Sequence, residues 1–256
     1  MTQQITRLLQ IMATLRDPVR GCEWDRAQSF ETIVPHTIEE AYEVADAVER
    51  GDIEDLRAEL GDLLFQVVFQ SRIAEESGHF DFEAVARSMS DKLEARHPHI
   101  FGDDDLPGGM REEHWEAMKA QERADQGAVS AMDGVAHALP ALLRAHKLQK
   151  RAVRTGFDWP DVQGPKDKVL EEINELSKAS SEIERIEEAG DLLFAAVNLV
   201  RAYGVNAEEA LRAANAKFER RFRAMEDICG IDTFSALSLD EQEDLWRQVK
   251  MDEKNA

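Results

Sequence analysis

The chain has 256 residues and carries 52 Asp and Glu against 31 Lys and Arg, a formal net charge of −21. That balance excludes a broad nucleic-acid or anionic-membrane surface, since both need a basic footprint, but it leaves room for a small anionic ligand held through a metal. The length suits one or two domains and the 43% hydrophobic fraction is ample for their cores. From the N-terminus, Ile5, Leu8, Leu9, Met12 and Leu15 recur at helical spacing and predict an amphipathic helix over about 3–16. This opening has no signal-peptide layout, and no apolar run in the chain reaches the roughly 18 residues of a membrane span. Cys22 and Cys229 match no metal-ligand spacing. They read as free thiols of a reducing compartment, so a cytoplasmic location is expected.

After a loop from Arg16 to Asp25, helical patterns cover about 37–49, 53–77, 81–97 and 111–124. Gly102 to Gly109 reads as an irregular acidic connection, and Ala124 to Gly127 as a hinge. Beyond it, helical patterns cover about 134–153, 167–179, 182–202, 207–228 and 239–250, with a loop from Thr155 to Pro160 and Gly164-Pro165 opening a helix. Strand signals are nearly absent, so the expected fold class is all-α. A shared order of motifs divides the chain into tandem domains at 1–124 and 125–256. Gly21 to Trp24 parallels Gly156 to Trp159. Glu39, Glu40 and Glu43 followed by Glu59 and Asp62 parallel Glu171, Glu172 and Glu175 followed by Glu188 and Asp191. Lys92 and Arg96 parallel Lys217 and Arg221.

The acidic motifs have a defined geometry. Glu39, Glu40 and Glu43 share one side of a helix, as do Glu59 and Asp62. Gly51 is a helix-ending residue and Asp52 a natural N-cap. Equal distances from that turn place Glu43 beside Glu59 and Glu40 beside Asp62 in an antiparallel hairpin. In the second half Ser180-Ser181 supply the turn, with Glu175 beside Glu188 and Glu172 beside Asp191. Gly61 and Gly190 precede each Asp, where a neighbouring helix or a ligand could approach closely. The residues that follow, 63–69 and 192–199, are apolar nearly all round and are expected to be buried. A lone acidic run is usually a solvated helix face. Its recurrence with turn-centred pairing points instead to a cation, and oxygen-only ligands select Mg²⁺ first and Mn²⁺ second.

Lys92 with Arg96, and Lys217 with Arg221, lie one helical turn apart, and Arg220 and Arg223 add to the second cluster. They suit the phosphates of a metal-bound ligand; the competing reading is surface salt bridges to Glu94 or Glu219. Metal carboxylates with cationic clamps and no strong nucleophile fit phosphoryl or nucleotidyl transfer to water. Glu76 with His79, and Glu94 with His97, have the spacing of di-iron carboxylate sites, but neither His recurs in the second half.

Glu-Glu-x-x-Glu followed by Glu-x-x-Asp on consecutive helices resembles the all-α nucleoside triphosphate pyrophosphohydrolases. The tandem arrangement resembles the MazG family, as do Gly21 to Asp25, Arg96 to Gly102, Gly156 to Trp159 and Asn215 to Phe222. The resemblance spans about 3–250. It implies helix bundles assembling across a homodimer interface and cleavage of nucleoside or deoxynucleoside triphosphates between the α and β phosphates. Carried over by motif, Glu172, Glu175, Glu188 and Asp191 would bind Mg²⁺, and Glu171 or a neighbouring carboxylate would orient or deprotonate water. Lys217 and Arg221, with Arg220, would hold phosphates, and Trp159 or Trp246 could stack on a base or simply be buried. In the first half the counterparts are Glu39, Glu40, Glu43, Glu59, Asp62, Lys92 and Arg96. The second half, with more basic residues and the amides Asn174, Asn198 and Asn215, is the expected main site. The alternatives are a carboxylate-bridged di-iron oxidase and a nucleotide-binding helical protein without turnover.

Overall fold

The structure is a computed structural model and describes residues 3–102, 112–125 and 127–255; among them every regular element is a helix. The expected acidic connection at 103–109 lies outside the described residues, as does Gln126 of the expected hinge. The chain divides into two compact units, Met1–Met118 and Lys119–Ala256.

The first unit is built on a helical hairpin of α3 (Phe30–Arg50) and α4 (Ile53–Glu76), following α1 (Gln3–Leu15) and α2 (Glu23–Ala27). Gly51 ends α3 in the left-handed region at φ +69°, which only glycine adopts cheaply. Asp52 then caps α4, its carboxylate accepting from the Asp55 N–H at 3.0 Å. The turn therefore lies where its residue types place it. α3 begins at Phe30, earlier than the expected 37, because Ser29 and Thr32 cap it reciprocally. The Thr32 N–H donates to Ser29 Oγ at 3.4 Å and the Ser29 N–H to Thr32 Oγ1 at 2.9 Å. Pro35 is carried inside the helix. Its lost backbone bond is offset by the burial of Ile33, which joins Met12, Val68, Phe69 and Ile73 in the core between α1, α3 and α4. α5 (Phe82–Arg96), the short α6 (Pro98–Phe101) and α7 (Glu112–Asp125) follow.

The second unit repeats the hairpin with α9 (Gln163–Lys178) and α10 (Glu182–Ala202), against which α8 (Ala141–Arg154) packs. Ser181 and Glu184 form the capping box that starts α10. α8 starts seven residues later than the expected 134. The Asp133 carboxylate holds a turn by accepting from the Val129 and Ser130 N–H groups at 2.8 and 2.9 Å, and Pro140 stands at the helix entrance. α11 (Ala207–Cys229), α12 (Ile231–Ala236) and α13 (Leu239–Asn255) close around Met225, Phe234 and Val249.

Two expectations are corrected. The apolar stretches 63–69 and 192–199 are buried on one face only. Val68, Phe69, Ala195 and Val197 are buried, whereas Leu193 is 59% and Phe194 46% exposed, because no described helix covers that side. A side chain placed on Gly61 or Gly190 would meet nothing within 4 Å, so among the described residues no neighbouring helix makes the close approach expected there, and the open space leaves the ligand alternative in place. Both cysteines are free thiols, and no described helix is long and apolar enough to cross a membrane.

Candidate active site

Carboxylates gather at equivalent places on the two hairpins. Glu40 of α3 meets Glu59 and Asp62 of α4, with one oxygen from each within 4.8 Å of the others. Glu172 of α9 meets Glu188 and Asp191 of α10 within the same 4.8 Å, and Glu171, Glu172 and Glu175 form a further group along α9. Burial, then the charges of Asp62 and Glu43, push Glu40 above the usual carboxylate range. Glu59 is raised by burial and then chiefly by Glu43, and Glu188 by burial and then chiefly by Glu175. The dominant neighbours are thus the partners that turn-centred spacing assigns. Glu39 stands apart, exposed, with His36 Nδ1 3.6 Å from its carboxylate.

Glu172 is 2% exposed. Its Oε1 receives Lys168 Nζ at 2.6 Å, and the same ammonium reaches Glu171 Oε1 at 2.9 Å. Those two carboxylates raise the Lys168 pKa. Glu172 Oε2 is buried and has no hydrogen-bond partner among the described residues. An unpaired buried carboxylate oxygen grouped with Glu188 and Asp191 is costly alone and suited to a hard divalent cation. The donors in each group are all oxygens, so the set fits Mg²⁺ or Mn²⁺ and lacks the His of a di-iron site. Glu76 is committed elsewhere: it accepts from Arg16 at 2.9 and 2.7 Å and from Arg72 at 2.8 Å.

A cavity of about 480 Å³ opens beside the second cluster, with Lys168, Glu172 and Asp191 at one part of its wall and Trp159, Phe194 and Gln149 at others. Trp159 is seated on Gly164, where a Cβ would come 2.0 Å from its Cδ1. Asp158, beside Trp159, accepts from Arg201 at 2.7 Å. In register with the motif, Ala195 and Asn198 of this wall correspond to Gln66 and Phe69 of the first unit. Those larger side chains are 6% and 0% exposed, with the Gln66 Nε2 donating to Glu40 Oε1 at 3.3 Å.

The basic residues are placed otherwise than expected. Arg221 donates to Glu253 of α13 at 2.7 Å and lies over the Trp246 ring at 5.5 Å; Arg220 reaches the same Glu253 at 3.1 Å. Arg223 pairs with Glu219 at 2.6 Å, so the salt-bridge reading holds for that residue. Lys217 and Lys92 are exposed, and Arg96 lies over Trp115 at 5.0 Å. Arg220, Arg221 and Arg223 thus pair with Glu253 and Glu219 rather than with the carboxylate groups. Trp246 is packed against Phe218 and the cluster of Met225, Phe234 and Val249, and does not line the cavity. Asn198 lines the cavity, while Asn174 and Asn215 are exposed. Sequence reasoning missed Lys168, though its position four before Glu172 signals an intrahelical pair. It also missed Gln149, which no local pattern marks.

Comparison with known proteins adds an independent line. Residues 28–101 match the MazG nucleotide pyrophosphohydrolase domain. The chain is 49% identical to the nucleoside triphosphate pyrophosphohydrolase of Escherichia coli (strain K12) over 98% of both chains. It is 41% identical to the nucleoside triphosphate pyrophosphohydrolase/pyrophosphatase MazG of Thermotoga maritima, over 95% of this chain and 94% of that one. A nucleoside triphosphate pyrophosphohydrolase of Mycolicibacterium smegmatis is 34% identical over 59% of this chain and 47% of its own.

Proposed function

The chain belongs to the MazG nucleotide pyrophosphohydrolase family, and from that membership we propose that it hydrolyses nucleoside and deoxynucleoside triphosphates between the α and β phosphates at a Mg²⁺-dependent site in the second unit. The observation that carries this reading is the Glu172, Glu188 and Asp191 cluster, with its unpartnered buried oxygen, opening onto a cavity. Glu172, Glu175, Glu188 and Asp191 would hold the cation; Mn²⁺ is the second choice. A cation bound there would offset the charge of the polyphosphate and lower the pKa of a water. Glu171, exposed and next to Glu172, orients the water and accepts its proton. The water oxygen bonds to the α phosphorus, the bond to the α–β bridging oxygen breaks, and pyrophosphate leaves. Lys168 ends within reach of Glu171 and Glu172, and is placed to meet phosphate oxygens. Lys217, Arg220 and Arg221 supply further phosphate contacts, the arginines exchanging Glu253 for the ligand.

The first unit keeps Glu40, Glu43, Glu59 and Asp62, but carries the larger buried Gln66 and Phe69 where the second unit has Ala195 and Asn198, which favours the second unit as the working site. Exposed Leu170, Ile173, Ile186 and Leu193 leave an apolar surface along α9 and α10. We assign it to a homodimer, which sedimentation would show and which a monomer at micromolar concentration would contradict. A cytoplasmic location accords with the free thiols; appearance of the protein in a secreted fraction would contradict it. The test of the activity incubates the full-length protein with each triphosphate and Mg²⁺ and separates pyrophosphate from orthophosphate. Monophosphate with pyrophosphate is expected. Orthophosphate with a diphosphate, or no turnover, would overturn the reading.

A further inference from the structure

A further correspondence joins the halves outside the carboxylate clusters. Trp115, Met118, Lys119 and Glu122 of α7 recur at identical spacing as Trp246, Val249, Lys250 and Glu253 of α13. In each unit the tryptophan meets the arginine of the preceding Lys-x-x-x-Arg motif. Arg96 lies 5.0 Å over the Trp115 ring and Arg221 5.5 Å over Trp246. In the second unit the acidic end of the motif also reaches the cations. Glu253 Oε2 accepts from Arg221 Nε at 2.7 Å and Oε1 from Arg220 Nε at 3.1 Å, so one carboxylate spans both guanidinium groups. The hydrogen bond from Arg221, then that from Arg220, holds the Glu253 carboxyl below the usual carboxylate range against the opposing effect of burial. Other acids of α13 are used within their own segment: Glu241 accepts from the Ser238 N–H at 2.8 Å and Glu243 pairs with Arg247 at 2.9 Å. Glu253 instead crosses to α11, from the last turn of α13, where the helix dipole disfavours an anion. Its place is therefore accounted for by the arginines rather than by the stability of α13. The side chains of Arg221 and Glu253 are 18% and 27% exposed, so solvent reaches the pair and the contact is open to exchange.

We propose that Glu253 stands in for phosphate: it occupies Arg220 and Arg221 in the unliganded protein, is displaced when a triphosphate binds, and takes the arginines back after pyrophosphate leaves. This rests on the hydrolase reading above and on the phosphate contacts assigned there to Arg220 and Arg221. A carboxylate and a phosphate offer a guanidinium the same kind of charged oxygen pair, so the two compete for one donor set. Breaking the resident pair is subtracted from the affinity of the incoming ligand. Glu253 touches no reacting atom; it acts through the arginines and sets how tightly substrate and product are held. A neutral side chain at this position therefore loosens the fold and tightens the ligand. A simple brace between α11 and α13 would weaken both.

The test uses the full-length protein, Glu253→Gln and Glu253→Asp, all with Mg²⁺. It reads KM and kcat for ATP, the affinity for inorganic pyrophosphate by calorimetry, and the melting temperature without ligand. In Glu253→Gln, KM and the pyrophosphate Kd should each fall by about three- to tenfold, while kcat stays within about twofold and the melting temperature drops. Glu253→Asp keeps the charge and should stay nearer the unaltered protein in both constants. A raised or unaltered KM and pyrophosphate Kd in Glu253→Gln overturns the competition and leaves the hydrolase reading standing. Absence of hydrolysis by the unaltered protein overturns the hydrolase reading, and the pyrophosphate affinities, which need no turnover, then decide the role of Glu253. If Glu253→Gln folds poorly, Glu253→Ala gives the same comparison.

Discussion

Gly164→Ala probes whether the seat of Trp159 governs substrate binding. A Cβ at Gly164 would lie 2.0 Å from Cδ1, 2.4 Å from Cγ and 2.6 Å from Nε1 of Trp159. Ordinary carbon contacts lie at about 3.5–4.0 Å, so the indole must move by roughly 1.5–2 Å. The atoms met belong to a ring, which cannot give way as the end of a flexible chain would. Overpacking of this kind costs about 1–3 kcal/mol. Alanine in place of glycine in a helix returns up to about 1 kcal/mol, and Gly164 sits in α9 without a positive φ. The net change in stability is therefore a loss of about 0–3 kcal/mol, measured by urea denaturation followed by circular dichroism. Trp159 is part of the cavity wall, so KM for ATP should rise by about tenfold, or ~1.4 kcal/mol, while kcat stays within about twofold because the carboxylates are not moved. A shifted tryptophan emission with an unaltered KM would refute the role given to Trp159. A loss of kcat with unaltered KM would show that the ring acts on the cluster instead.

Two further outcomes are expected. Glu188 and Glu59 have folded-state pKa values above the usual 4.5 because of burial and neighbouring carboxylates. The metal-free fold binds protons more readily than the unfolded chain, so that stability contribution is full at low pH and is lost as pH rises through the raised pKa values. Mg²⁺ competes for the same oxygens, so its affinity, read by calorimetry, should increase over that same window above 4.5; a flat profile would contradict the metal assignment. Arg221→Ala should raise KM for triphosphates by about tenfold, the worth of one charge-assisted contact. An unaltered KM with a lowered melting temperature would make Arg221 only a brace for α13 through Glu253.

What could be seen in the sequence follows from how local the signals are. The hairpin turn at Gly51-Asp52 and the start of α10 at Ser181 depend on residues within four positions of each other, and the pairing of Glu43 with Glu59 follows from counting outward from that turn. The start of α3 was hidden because Thr32 stands where the usual capping box has Glu or Gln. The cavity was hidden because its parts are distant in the chain: Gln149 meets Phe194 across 45 positions. The pairing of Arg220 and Arg221 with Glu253 likewise spans more than 30 positions, which no helical spacing reports. The open apolar side of α10 was misread because continuous apolarity describes a face to be covered, and does not say whether the same chain covers it.

The most direct measurement is pyrophosphate release from ATP by two double variants, each verified as folded by circular dichroism. Glu172→Gln with Glu188→Gln removes ligands from the second unit, and Glu40→Gln with Glu59→Gln removes their counterparts from the first. A second-unit site predicts that the former loses activity by at least about a hundredfold while the latter keeps most of it. Equal losses, or loss only in the first-unit variant, would contradict the account.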